Sequence, residues 1–206
     1  MAVLEAKNPI KRTKSKRWSK QRLNIISSAV RLFWQKGYDG TSVQDISDAA
    51  KVNKATIYYY FENKSVLLYE ISMQITEQLT NQAQEIIDSN LPPEKKFESI
   101  IKNQVIWALT HPHNTSTTLL EKRNLPPKLL NVIIAKRTHY ENIARGLLEE
   151  LIPEKKAQVI SPKIASLFIF GLIFSLTQWF KQSGELSAEE IASKVYLFIV
   201  EGLSIH

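Results

Sequence analysis

Proline punctuates this chain at its joints and nowhere else. Pro9, Pro92, Pro93, Pro112, Pro126, Pro127, Pro153 and Pro162 are the only prolines in 206 residues, so residues 10 to 91 and 163 to 206 run without such a break. Proline lacks an amide donor and clashes with the preceding helical turn, so it starts or stops helices rather than sitting inside them. Only six glycines accompany the eight prolines. That is too few turn residues for an all-β sandwich or barrel, which needs a turn about every 8–12 residues. With 44% apolar residues the chain can bury a real core. The predicted fold class is all-α, with about nine helices.

The net charge of +7 is concentrated at one end. Lys7, Lys11, Arg12, Lys14, Lys16, Arg17, Lys20 and Arg22 stand against Glu5 alone in residues 1 to 22, and the remainder of the chain sums to zero. An anionic partner is therefore expected at the N-terminal end. Residues 1 to 16 read as a flexible basic arm. The absence of cysteine excludes disulfides, thiolate metal sites and a cysteine nucleophile, and suits a reducing compartment. No apolar run follows Met1 as a signal peptide requires, so a cytoplasmic location is expected.

The membrane candidate is the stretch from 164 to 180, free of charge between Lys163 and Lys181. At ~1.5 Å per residue it spans about 25 Å, short of a ~30 Å hydrocarbon core, and it contains Ser166, Ser175, Thr177 and Gln178. The preferred reading is a helix buried by its own core on one face and by a partner subunit on the other, with no membrane. The competing reading is a membrane-associated helical protein held by the basic arm and this helix.

Periodicity and capping place the helices. Ile26, Ala29, Val30 and Phe33 define a first helix over about 17 to 36, with Gly37 as its stop. Thr41 to Gln44 open a second, to about Ala50, and Asn53 caps a third over 54 to 60. The stripe of Leu67, Ile71, Ile75, Leu79, Ala83 and Ile86 predicts a fourth from Asn63 to about Ser89. A fifth follows Pro93, with Phe97, Ile100, Ile101, Gln104, Val105 and Ala108 on one face. His111 to Asn114 read as a loop, 116 to 123 as a short helix, and 126 to 151 as a long one. Ser161 and Pro162 begin the charge-free helix, expected to reach Gln182 and stop at Gly184. Ser187 to Glu190 form a capping box for the last helix, to about Leu203.

Enzyme signatures are nearly absent: no glycine-rich phosphate loop, no Gly-x-Ser-x-Gly and no His-Glu-x-x-His. His111 and His113 lack a third ligand, and His139 reads as a side chain at a core edge, so neither metal, cofactor nor catalytic residue is expected. The helix pair at 41 to 60 has the geometry of a helix-turn-helix, whose second helix enters the DNA major groove. Thr41 and Ser42 offer hydroxyls and free amides at a helix start, a phosphate site. Lys54, Thr56, Tyr58, Tyr59 and Tyr60 supply donors and flat apolar surface, while Ile57 and Phe61 anchor the helix beside Ile46, Ala49 and Phe33. Of the three tyrosines, Tyr58 is expected to be half-buried.

The string Ile26-x-x-Ala29-x-x-Leu32-Phe33-x-x-x-Gly37-Tyr38-x-x-Thr41-Ser42-Val43-x-x-Ile46-x-x-Ala49-Ala50-x-Val52-Asn53-Lys54-Ala55-Thr56-Ile57-Tyr58-Tyr59-Tyr60-Phe61-x-x-Lys64-x-x-Leu67-Leu68 resembles the DNA-binding domain of TetR-family transcriptional repressors. The resemblance covers residues 22 to 68. It implies a homodimer, paired through its last two helices, whose larger C-terminal domain binds a small-molecule inducer. Position by position it implies phosphate contacts from Thr41, Ser42 and Lys64. Base or adjoining backbone contacts are implied for Lys54, Ala55, Thr56 and Tyr59, and backbone contacts for Tyr58 and Tyr60. Ala55 and Tyr60 depart from the family's frequent Gly and His, which bears on sequence preference. Lys16 and Arg17, nearest the folded part, are the expected arm contacts with phosphates or a minor groove. The expected domains are the arm at 1-16, a DNA-binding domain at 17-62 and a ligand-binding and dimerisation domain at 63-206.

Trp107, Tyr140, Phe168, Phe170, Phe174, Trp179 and Phe180 lie on helices expected to be buried, and a cavity among them favours a lipophilic ligand. The expected ligand-binding residues are Trp107, Arg137, Tyr140, Phe174, Gln178 and Trp179. Lys122, Arg123, Lys136, Arg137 and Arg145 offer charge for an anionic head group. Glu121 and Glu141 are the nearby carboxylates that a cationic ligand would need. The ending Trp179-Phe180-x-x-x-Gly184-x-Leu186-Ser187-x-Glu189-Glu190-Ile191, closing on Gly202-Leu203, resembles the subgroup that senses coenzyme A thioesters, although a turn and a capping box also account for most of it. An acyl-type or neutral lipophilic effector is expected.

Overall fold

The computed structural model describes the backbone of residues 16–205 and the side chains of 18–117 and 123–205. The basic arm up to residue 15 and the side chains of Lys16, Arg17, Glu121 and Lys122 lie outside the described residues. Ten α-helices, one 3₁₀ turn at Glu121–Asn124 and no strand occur among those described. They are α1 (Lys16–Lys36), α2 (Val43–Ala50), α3 (Lys54–Tyr60), α4 (Lys64–Ile87), α5 (Pro93–Thr110), α6 (Pro112–Leu120), α7 (Pro127–Leu151), α8 (Glu154–Ala157), α9 (Pro162–Trp179) and α10 (Ala188–Leu203).

The ends follow local chemistry. Gly37 stops α1 at φ 72°, and a side chain on Gly40 would meet the Lys36 carbonyl oxygen at 2.3 Å, so this turn needs both glycines. Asn53, Asn63, Ser161 and Ser187 each accept an amide of the helix they precede. Three boundaries differ from expectation. The helix α6 starts at Pro112 instead of residue 116, since a proline at the first helical position forfeits no hydrogen bond. The helix α9 ends at Trp179, because Phe180 turns extended, and Gly184 falls in the following loop. The single turn of α8 after Pro153 carries no periodicity that could announce it.

Two cores share one spine. Ile25, Ala29, Phe33, Ile46, Ile57 and Phe61 pack with Leu67, Leu68, Ile71 and Ile75 of α4. Trp107, Leu125 and Ile133 join that same cluster. The second core gathers Phe97, Ile101, Val105, Leu148, Ile173 and Ile199, with Ala83 and Ile86 of α4 against it. A division after residue 62 therefore cuts no packing boundary, because α4 belongs to both cores.

The apolar helix α9 meets the length and composition of a membrane span. It nevertheless lays Ala165, Ser166, Ile169, Ile173 and Leu176 inward, in contact with α5 and α7. Its other face leaves Leu167 49%, Phe168 66% and Trp179 57% exposed, and on α10 Leu197 and Phe198 are 56% and 71% exposed. Phe168 and Trp179, expected inside, are outside this protomer because the helix is buried on one face only.

Candidate nucleic-acid interface and effector pocket

The turn between α2 and α3 is tied down from several sides. Lys51 adopts the left-handed conformation at φ 54°, the Ser47 hydroxyl donates to the Val52 carbonyl at 2.6 Å, and Asn24 of α1 donates to the Ala50 carbonyl at 2.7 Å. Ser42 and Asp45 form a reciprocal capping box at the start of α2. Hydrogen bonds from Ser42, with Lys36 beside it, hold the Asp45 carboxyl well below the usual carboxylate range. Asn53 accepts the Thr56 amide at 2.7 Å and so fixes the start of α3.

This frame presents one face of α3 outward. Lys54, Ala55, Tyr58 and Tyr59 are exposed, Thr56 is half-buried, and Ile57 and Phe61 point into the core at 2% and 1% exposure. The half-buried tyrosine is Tyr60 and not Tyr58. Tyr60 lies 5.1 Å from the Trp18 ring and donates its hydroxyl to Gln21 Oε1 at 3.2 Å, so α1 covers it. Successive residues turn about 100° on a helix, and only the position of α1 decides which of the three it covers.

Two expected phosphate ligands bond carbonyls within the protein. Thr41 is fully buried, and its hydroxyl bonds the Leu32 and Gly37 carbonyls at 3.2 and 2.8 Å, which closes the α1–α2 turn. Lys64 reaches back from α4 to donate to the Tyr38 and Thr41 carbonyls, both at 2.8 Å, and sits 4.0 Å from the Tyr38 ring centre. It is a clamp between α4 and the head. Ser42 stays exposed at the helix start. Arg22, one of the clustered N-terminal cations, pairs with Glu70 of α4 and lies 5.3 Å over the Phe61 ring, so its charge is satisfied internally.

The pocket lies among α4, α5, α6, α7 and α9. It is a cavity of about 110 Å³ lined by Ile75, Thr76, Leu79, Gln104, Trp107, Ala108, Thr115, Arg137, Tyr140, Glu141, Phe170, Ile173 and Phe174. Four of the six expected ligand residues, Trp107, Arg137, Tyr140 and Phe174, are brought together there. Gln178 and Trp179 are not: both are exposed at the far end of α9, with the Gln178 amide on the neighbouring Thr177 hydroxyl. Burial pushes the Tyr140 phenol above its usual range, and its hydroxyl donates to Gln104 Oε1 at 2.5 Å. Burial lowers the affinity of Arg137 for its proton, and nearby Glu141 opposes that.

Of the other basic groups, Lys136 approaches Glu77 at 3.9 Å and Arg145 approaches Glu149 at 3.5 Å, and neither they nor Arg123 reach the cavity. Gln104 was legible as the one polar residue within the apolar face of its helix. The part of the wall that α4 supplies was not. His111 and His113 stack on different indoles, Trp107 at 5.1 Å and Trp34 at 4.1 Å. No cluster of three His, Asp or Glu suited to a metal occurs among the described residues.

A helix-turn-helix head with an exposed reading helix, joined through one shared helix to an all-helical body with an apolar pocket, defines a DNA-binding regulator with a sensor domain. Residues 25–71 match the family of bacterial regulatory proteins, tetR family, and residues 90–203 match the tetracyclin repressor-like C-terminal domain. The chain belongs to the TetR family of transcriptional regulators. It is similar to the fatty acid metabolism regulator protein of Bacillus subtilis (strain 168), with 27% identity over 88% of this chain and 94% of that one. A TetR-family regulator from Bordetella parapertussis 12822 superposes with a TM-score of 0.81 at 24% identity, over 88% of this chain and 94% of that one. AibR, solved in complex with isovaleryl coenzyme A and operator DNA, superposes with a TM-score of 0.78 at 21% identity, over 90% and 100% of the two chains.

Proposed function

We propose that this protein is a ligand-responsive transcriptional repressor, released from a pseudo-palindromic operator when a small lipophilic or acyl-type effector enters the pocket. The observation that carries this is the double role of α4. Lys64 at its start clamps the reading head, and Ile75, Thr76 and Leu79 near its middle line the cavity. An effector that prefers one packing of α5, α6, α7 and α9 therefore acts on the helix that sets the head. Only its differential affinity for the two packings shifts the equilibrium, with couplings of about 1–3 kcal/mol typical.

Two protomers paired through α9 and α10 would present two copies of α3 to half-sites about one helical turn apart, or a multiple of it. The exposed Phe168, Trp179, Leu197 and Phe198 supply the surface for that pairing, which accounts for the apolar face of α9 without a membrane. The site of action is the cytoplasm, where the DNA is. The role is regulatory and not enzymatic. The decisive experiment selects bound DNA from a random pool, then screens acyl-coenzyme A and lipophilic compounds for its release. Failure to enrich any DNA sequence would refute the reading.

Lys54, Ala55, Thr56, Tyr58 and Tyr59 are the groups we assign to the DNA face, with Ser42 on a flanking phosphate. Tyr59→Ala is expected to weaken operator binding by about tenfold, since a good contact is worth roughly 1–3 kcal/mol. Unchanged affinity and unchanged base preference in a gel-shift titration would remove Tyr59 from that face. Deleting residues 1 to 14 should weaken binding to every sequence alike. The slope of log affinity against log salt should then fall by about 0.9 for each phosphate that the arm no longer neutralises. An unaltered slope would count against a DNA role for the deleted part of the arm, and Lys16→Ala with Arg17→Ala tests in the same way the two cations that the deletion leaves in place.

A further inference from the structure

The wall of the cavity has one polar corner. Arg137, Tyr140 and Glu141 lie three and four residues apart on one face of α7, and all three line the cavity. Gln104 of α5 joins them, because the Tyr140 hydroxyl donates to its Oε1. That bond uses the carboxamide oxygen and leaves the Gln104 Nε2–H groups over. None of the Arg137 guanidinium, the Glu141 carboxylate and Gln104 Nε2 has a hydrogen bond or an ion pair among the described residues. The Trp107 indole Nε1–H is unpaired too, but it is enclosed and out of reach, whereas no nitrogen of Arg137 or Gln104 is shut in that way.

The two charges differ in what they need. A carboxylate held partly out of water can take up a proton, but a guanidinium stays charged at every physiological pH, so its charge has to be met by an anion. Arg137 is half-buried, burial works against its charge, and Glu141 stands one turn away without closing an ion pair on it. The free donors of Arg137 and Gln104 suit the two oxygens of a carboxylate, which a guanidinium fork binds bidentately. A second negative charge on the same ligand would meet Glu141, so the site suits one acid group only.

The remaining wall sets the body of the ligand. A volume of about 110 Å³ is of the same order as the ~150 Å³ apolar cavity that accepts benzene, with room for one ring and not for a fused system or a long chain. Trp107, Tyr140, Phe170 and Phe174 supply aromatic surface around that space, with the Tyr140 and Phe170 rings 5.9 Å apart and tilted by 52°. A planar ring gains from edge-to-face packing there beyond the area that it buries.

We propose that the pocket takes a compact aromatic monocarboxylate, its ring among these aromatic side chains and its carboxylate on the Arg137 guanidinium and the Gln104 amide. This rests on the reading of the cavity as the effector site and names the ligand class of that site. Arg137 is then the specificity-determining residue, and Glu141 excludes dianions. Because α7 packs along α4, capture at Arg137 acts next to the helix whose Lys64 clamps the reading head.

Calorimetric titration of the full chain with benzoate, benzamide and benzamidine tests this, since the three share one shape and carry charges of one sign, none and the other. Phthalate adds a second carboxylate, and hexanoate keeps the charge without the ring. Benzoate should bind about tenfold more tightly than benzamide, the value of a charge-assisted hydrogen bond, and about threefold more tightly than hexanoate. Benzamidine and phthalate should bind more weakly still. In Arg137→Gln the benzoate to benzamide ratio should collapse to about one, and in Glu141→Gln benzoate should tighten and phthalate gain more. Should either variant not fold, the charge series on the unaltered protein still decides.

Benzamide, benzamidine, phthalate or hexanoate binding as tightly as benzoate, an unchanged ratio in Arg137→Gln, or no binding by benzoate overturns the proposal. If benzoate fails while some other compound releases the selected operator, this inference fails and the repressor reading stands. If no compound of any class releases the operator, the reading itself fails.

Discussion

Phe61→Ala is expected to cost about 3–5 kcal/mol of stability, the usual effect of truncating a buried phenylalanine. Phe61 is 1% exposed and terminates α3 in an extended conformation, where its ring joins the core shared by α1, α2 and α4. The Arg22 guanidinium lies over that ring while paired with Glu70, so the same side chain that fills the core also seats the ion pair between α1 and α4. Domains of this kind have about 5–15 kcal/mol in all, so the variant should lose a large share of its folded population near 37 °C. Urea unfolding followed by circular dichroism measures it. A shift below about 1 kcal/mol would mean that the head is not organised around this residue.

Phe198→Glu should produce a folded monomer. Phe198 is 71% exposed and Phe168 on α9 66%, so the charge meets water in the isolated protomer and leaves its core untouched. In a pair closed through α9 and α10 the same carboxylate would be buried among aromatic side chains without a partner, which strongly disfavours association. Sedimentation equilibrium should report one chain instead of two, with an unchanged helical spectrum. Operator affinity should fall by about 10²–10⁴, because each head then binds its half-site without the gain in effective concentration from the other. A variant that stays dimeric would place the interface elsewhere.

Local chemistry was readable one residue at a time. The caps at Asn53, Asn63, Ser161 and Ser187, the stop at Gly37 and the inward pair Ile57 and Phe61 follow from side chains acting on their own or adjacent turns. The carbonyl bonds of Thr41 and Lys64 were not readable, because a hydroxyl at a helix start and a lysine at another suit a phosphate and a carbonyl equally well. Their carbonyl partners lie 4 to 26 positions away, so the fold brings them together. Tyr58 and Tyr60 exchanged places for a like reason: the helix pattern separates their directions, but which direction α1 covers is a matter of packing. Gln178 and Trp179 fell outside the cavity because α9 passes it with one face and ends beyond it.

What the sequence determined by itself is the helical class, the joints at the prolines, the reading head and the end of the chain where the charge lies. These depend on periodicities and caps that span no more than a few turns. The tertiary structure alone decided that α4 belongs to both cores, that the pocket is about 110 Å³ with Trp107 unpaired in its wall, and that Phe168, Trp179 and Phe198 face outward. The volume of a cavity and the partner of a buried donor depend on atoms from several helices at once, and no spacing within one helix encodes them.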